Sequence, residues 1–200
     1  MSRIDIIIGC MFSGKTTELI RRISRYQSIN KKCVIINSNT DTRNRKGIMT
    51  HSGNKVNAIR TQNLMDITNK LYDIEIIGVD ESQFFDDLCK FALWCECNGK
   101  VLIIAGLDGD INRKPFGQIL NCIPLCNTVV KMTALDRDGS QAIFTRKKIS
   151  NSNLVEIGNS DIYEAVSRKN YLYKGSMRQA LDEYEPVSYT HLTLPTKRIV

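Results

Sequence analysis

The sequence predicts an α/β protein: a parallel sheet covered by helices on both faces, followed by a small β-rich appendage. Three observations predict it. Continuous apolar, strongly β-branched runs of strand length occur at 6–8, 33–38, 75–81 and 100–106, the pattern of strands buried on both faces. Segments with helical spacing lie between them, at 17–27, 63–72 and 84–97, and strand–helix alternation is the mark of a parallel, doubly covered sheet. From Asp136 the pattern changes to short alternating runs, "AIFTRKK" and "NLVEIG", separated by Ser/Asn-rich turns.

Taken in order, Ile6, Ile7 and Ile8 form the first strand, bounded by Gly9. From Thr17 the apolar Leu19, Ile20, Ile23 and Tyr26 recur at three- and four-residue spacing, with Arg21, Arg22 and Arg25 largely opposite, which makes an amphipathic helix. The polar, basic stretch 41–55 reads as a mobile loop at the strand ends. Residues 116–122 read as a short helical turn, and 128–135 as a last strand leaving the main layer. The expected organisation is a main domain over 1–135, a small domain over 136–175, and a disordered or non-native tail over 176–200, whose end carries two prolines and no helical period.

Composition fits this plan. The chain has 200 residues, 42% hydrophobic and 24% charged, enough for one main core and an appendage. With no apolar run of about 18 residues and too short an apolar start for a signal peptide, a cytoplasmic protein without membrane partners is expected. Seven cysteines, at 10, 33, 89, 95, 97, 122 and 126, read as buried reduced thiols. Neither Cys95-x-Cys97 nor Cys122-x-x-x-Cys126 has the second pair or nearby histidine that a metal site needs. The net charge of +7 is spread along the chain without a concentrated basic tract, which argues against a nucleic-acid partner.

Between the first strand and helix, Gly9, Cys10, Met11, Phe12, Ser13, Gly14, Lys15 and Thr16 fit G-x-x-x-x-G-K-[ST], with Thr17 following. This is the phosphate-cradling loop. Its glycines let backbone N–H groups wrap a polyphosphate, Lys15 adds a cation, and the Thr16 hydroxyl suits Mg²⁺. The second half of the site is "VDESQFF", in which Asp80 and Glu81 close a buried strand. Asp80 suits a water-mediated Mg²⁺ contact, and Glu81 is then free to act as a base.

Five ordered blocks, "GCMFSGKTTELIRRISRYQ", "DTR…TH", "VDESQFFDD", "GLDGDINRKPFGQILNCIPLCNTVVKMTA" and "EIGNSDIYEAV", resemble the type II thymidine kinases, the cytosolic and viral class, from about Ile4 to about Tyr171. The resemblance implies a RecA-like phosphate-loop domain, a small domain with a lasso over the nucleoside, a homotetramer, and transfer of a phosphoryl group from ATP to the 5′-hydroxyl of thymidine. By position Glu81 resembles the catalytic base and Arg43 a residue meeting the transferring phosphoryl group. Thr16, Asp80 and Asp41 resemble the residues around Mg²⁺. Met11, Phe84, Leu107, Phe116, Thr145 and Tyr163 match nucleoside-pocket positions, and backbone groups of Leu154, Val155, Glu156, Ile157 and Gly158 match those that read the pyrimidine edge.

The chain also departs from that pattern. Cys10 and Ser82 replace a common proline and glycine, and Ile111, after an acidic Asp110, stands where an aromatic pocket residue is frequent. The small domain of the family usually carries a four-cysteine zinc site. Here the matching places hold Asp136, Asp138 or Gly139, Ser167 and Asn170, so no structural zinc is expected and packing alone should hold the small domain. Two competing readings are a homologue that binds nucleotide without turnover and a phosphate-loop ATPase acting on nucleic acid. The retained Lys15, Thr16, Asp80, Glu81 and Arg43 weigh against the first, and the charge distribution against the second.

Overall fold

A computed structural model describes residues 2–39, 58–148 and 162–174. Its centre is a six-stranded, wholly parallel sheet of β1 (Arg3–Gly9), β2 (Cys33–Ser38), β3 (Ala58–Thr61), β4 (Ile76–Val79), β5 (Val101–Gly106) and β6 (Thr128–Met132), in the order β3-β2-β4-β5-β1-β6. The predicted α/β class is therefore the observed one.

Alternation along β1 explains how both faces are filled. Ile4, Ile6 and Ile8 join Val34, Ile36 and Val79 in one cluster, while Ile7 joins Ile35, Ile103 and Ala105 on the other side. Helix α1 (Lys15–Gln27) covers the second face with Leu19 and Ile23, both fully buried. Helix α2 (Leu88–Cys97) covers the first with Leu88, Phe91, Ala92 and Cys95. Each large apolar side chain buried this way contributes about 1.5–3 kcal/mol. On the outer side of α1, Glu18 pairs with Arg21 and Arg22, at 2.6 and 2.8 Å.

Several elements differ from the sequence reading. The segment 128–135 does not leave the layer as one strand: β6 lies parallel to β1, and only Ala134–Leu135 (β7) departs. Two polar contacts pin it, Thr128 Oγ1 donating to Asp5 Oδ1 at 2.6 Å and the Ile4 amide donating to Asn127 Oδ1 at 2.8 Å. The 63–72 pattern yields a 3-10 turn, Met65–Lys70, and the 84–97 helix begins only at Leu88, because Phe85 is extended after a short 3-10 turn at Ser82–Phe84. The helical turn expected at 116–122 lies a few residues later, at Ile119–Leu125. Strand β3 was not anticipated; it is a short edge strand with a single buried residue, Thr61, and so lacks an apolar run.

After β7, Gln141–Ala142 (β8) pairs antiparallel with it, and Phe144–Lys147 (β9) pairs antiparallel with Tyr163–Val166 (β10), ahead of helix α3 (Arg168–Lys174). Cys10 at the end of β1 packs against Ala134, Ala142 and Ala165, joining this region to the sheet. All seven cysteines are free; Cys97 is exposed and Cys89 and Cys126 half-buried, so the reading of uniformly buried thiols holds only for the other four. The expected loop at 41–55, the run "NLVEIG" and the tail lie outside the described residues. Among the described residues no helix is long and apolar enough to cross a membrane.

Candidate active site

The loop between β1 and α1 is shaped by its first glycine. Gly9 has φ 149°, and a Cβ there would come within 2.3 Å of the Met132 carbonyl oxygen on β6, so a side chain would push the loop off the sheet. Gly14 then starts α1 in a left-handed conformation. Lys15 is buried and points back into the loop, its Nζ donating to the Cys10 carbonyl at 2.7 Å, which Ser13 Oγ also reaches at 2.8 Å. Burial lowers the Lys15 pKa, and the charges of Glu81, Asp80 and Asp108 oppose that shift. Thr17 is exposed on the first turn, and Phe12, with φ 65°, is 51% exposed.

Asp80 follows β4, which β5 separates from β1. Thr16 Oγ1 donates to its two carboxylate oxygens at 2.9 and 3.1 Å, tying the loop to the strand end. Burial, and after it the neighbouring Glu81 charge, push the Asp80 pKa up to about 7, against hydrogen bonds from Thr16 and the Glu81 amide. A buried carboxylate in this condition, beside a hydroxyl, is a fitting donor set for a hard divalent cation.

Glu81 adopts φ 49°, ψ 42°, a left-handed conformation that costs a non-glycine residue about 1–3 kcal/mol. The turn has a use: adjacent residues on a regular strand point to opposite faces, whereas here the charges of both Asp80 and Glu81 act on Lys15. The Glu81 amide donates to Asp80 Oδ1 at 3.0 Å, and its Oε2 accepts from Gln83 Nε2 at 2.6 Å.

The nucleoside-pocket positions fall into linked groups. The Met11 amide donates to Thr145 Oγ1 at 3.0 Å, joining the phosphate loop to β9. Phe84 and Phe116 meet edge to face with ring centres 5.7 Å apart. The Leu107 amide donates to Gln83 Oε1 at 3.0 Å. Tyr163, buried, pairs with Lys147, and Thr145 pairs with Ala165, so Tyr163 and Thr145 share a face of the β9–β10 ribbon. A cleft of about 290 Å³ also opens beside Cys10, Asp108, Arg113, Phe144 and Thr145; of this group it includes Thr145, and it does not include Glu81. Asp41, Arg43, Leu154, Val155, Glu156, Ile157 and Gly158 lie outside the described residues.

The places that the resemblance gives to zinc are hydrogen-bonded to one another. Asp136 accepts from the Ser140 and Asp138 amides at 2.9 and 3.0 Å, from the Ser167 amide at 3.3 Å and from Asn170 Nδ2 at 2.8 Å; the same Nδ2 donates to Asp138 at 2.9 Å. These residues do not fit a zinc ion, since two carboxylates, a hydroxyl and an amide lack soft or imidazole donors and Asp136 is engaged by protein N–H groups. The expectation that packing alone holds this region is corrected: a polar network bridges the β7–β8 turn and the start of α3.

Gln83 escaped the sequence reading although it stands inside "VDESQFF". Its position two residues after Glu81 was the available signal, but only the fold shows that its amide reaches that carboxylate.

The thymidine kinase family profile matches residues 2–171. The chain belongs to the thymidine kinase family. It is 43% identical over 170 residues to the thymidine kinases of Raccoon poxvirus and of Vaccinia virus (strain Western Reserve), and 42% identical to that of Variola virus, in each case across 84% of this chain and 96% of the relative. The family match spans the phosphate loop, the Asp80–Glu81 turn and the β9–β10 ribbon, and identifies the chain as a kinase of this type.

Proposed function

We propose that the protein transfers the γ-phosphoryl group of ATP to the 5′-hydroxyl of thymidine, giving thymidine 5′-phosphate and ADP. The observation that carries this reading is the Thr16–Asp80–Glu81 arrangement beside buried Lys15: a phosphate loop, a buried acid and a second acid on the adjoining turn within one charged cluster. Phosphoryl transfer asks the protein mainly for positioning and charge stabilisation. Backbone N–H groups of residues 9–16 and the Lys15 ammonium cradle the phosphates. Glu81 accepts the proton of the 5′-hydroxyl as that oxygen attacks. Thr16 and Asp80, with Asp41, are the residues that would hold Mg²⁺, which when bound neutralises charge on the β- and γ-phosphates. Arg43 meets the transferring group in this scheme.

Met11, Phe84, Leu107, Phe116, Thr145 and Tyr163 form the nucleoside side of the site, and backbone groups of residues 154–158 read the base, which favours pyrimidine over purine deoxynucleosides. The division into residues 1–135 and 136–175, a cytoplasmic setting and a homotetramer complete the reading. The exposed edge of β6, with Val129 and Val130 each 39% exposed, supports an oligomer by offering a surface for another copy. ATP consumption measured with thymidine, with deoxyadenosine, with single-stranded DNA and with no acceptor tests the function. The reading predicts turnover that depends on thymidine; equal consumption in all four would overturn it.

A further inference from the structure

Gln83 is a confined polar side chain next to the candidate base. It is 3% exposed, and both ends of its carboxamide are engaged: Oε1 accepts from the Leu107 amide at 3.0 Å, and Nε2 donates to Glu81 Oε2 at 2.6 Å. The first bond fixes the second. A backbone N–H only donates, so the oxygen of the amide must face Leu107 and the NH₂ must face Glu81. The residue cannot slide away from this position. A Cβ at Gly117 would come within 2.2 Å of the Gln83 carbonyl oxygen, and one at Gly106 within 2.8 Å of Gln83 Oε1, so two backbone segments close directly on it.

We infer that Gln83 is the positioning residue of the reaction: it holds the Glu81 carboxylate in its left-handed turn and registers it against Leu107, on the nucleoside side. This rests on Glu81 being the base. A carboxylate on a side chain with three rotatable bonds does not stay in one orientation beside Lys15 and Asp80 unless something fixes it, and a misplacement of about 1 Å can cost about 10²-fold in rate. Because the same amide reads the Leu107 backbone, any shift of the β5 end is transmitted to the base, and acceptor and base stay in register. The chain Thr16, Asp80, Glu81, Gln83, Leu107 thereby runs without a break from the phosphate loop to the nucleoside wall.

The test is a double-mutant cycle on kcat and KM with Gln83→Met, Glu81→Gln and the two combined. Methionine has nearly the shape of glutamine and no donor. Gln83→Met should lower kcat about 10- to 10²-fold with the KM for thymidine changed by less than about threefold, and it should add no further loss in kcat once Glu81 is already Gln, because Gln83 acts only through that carboxylate. Losses that multiply in the combined variant, or a Gln83→Met kcat within twofold of the parent, would overturn the inference. If Glu81→Gln alone retained full turnover, the base assignment would fail instead, a separate result. Should Gln83→Met not fold, Gln83→Leu likewise removes the donor toward Glu81 without adding a charge, and the same cycle decides.

Discussion

Asn170 Nδ2 donates to Asp136 at 2.8 Å and to Asp138 at 2.9 Å, so one amide spans two of the places that the resemblance gives to zinc. The start of α3 is thereby clasped to the β7–β8 turn by hydrogen bonds. A clasp of this kind depends on no metal, so a chelator should change neither thermal stability nor turnover measured with Mg²⁺ resupplied. Asn170→Ala should speed proteolytic cutting within 134–148 about three- to tenfold, the effect of one lost hydrogen bond on an opening equilibrium. About one zinc per chain in metal analysis, or chelator-induced unfolding, would contradict the clasp.

The same carboxylate sets an acid limit. Hydrogen bonding, chiefly from Ser167 and then from the Ser140 amide and Asn170, holds the Asp136 pKa at about 2, below its ordinary 3.8. A depressed folded-state pKa contributes stability that is present above the unfolded value and is lost as pH falls through the folded one. The clasp should therefore be intact at neutral pH and release between about pH 4 and pH 2. Amide NMR signals of Asp138, Ser140 and Ser167 should shift together with a midpoint near the lower value; a midpoint at or above the ordinary aspartate value would show that the contacts do not form.

Asp80→Asn keeps an acceptor for Thr16 and removes the charge. Turnover should fall about 10²-fold or more, and the Mg²⁺ concentration for half-maximal rate should rise, since a carboxylate that would hold Mg²⁺ beside the reacting phosphates is lost. Thermal stability should be maintained or increased, because a buried carboxylate whose pKa is raised to about 7 is itself unfavourable. Steady-state kinetics over a Mg²⁺ series, beside a melting curve, checks both.

Phe116 meets Phe84 edge to face, their ring centres 5.7 Å apart, on the side proposed for the nucleoside. Phe116→Ala should raise the KM for thymidine about tenfold while leaving kcat within about threefold, as expected for lost aromatic packing away from the reacting atoms. A large fall in kcat with KM unchanged would move Phe116 from binding to chemistry.

The loop 9–16 and the pair Asp80–Glu81 were legible as candidates because each forms a short contiguous motif closing an apolar run. The buried strands were legible for the same reason, Ile6 to Ile8 being apolar on both faces. What the sequence concealed depends on partners far along the chain. Thr128 stays in the sheet because of Asp5, 123 residues away, and Asp136 finds Asn170 after 34 residues. Strand β3 hid because an edge strand with one buried residue needs no apolar pattern. Gln83 reads as an ordinary polar residue until the fold brings Leu107 to its other side.

The central claim is that Glu81 takes the 5′-hydroxyl proton in a thymidine kinase site built on the phosphate loop. Its most direct test is single-turnover phosphorylation of thymidine by Glu81→Gln with saturating Mg²⁺ and ATP, beside a measurement of ATP binding. The rate should be about 10²- to 10⁴-fold below the parent with ATP affinity unchanged. A parental rate in Glu81→Gln, or a loss explained wholly by weaker ATP binding, would contradict it.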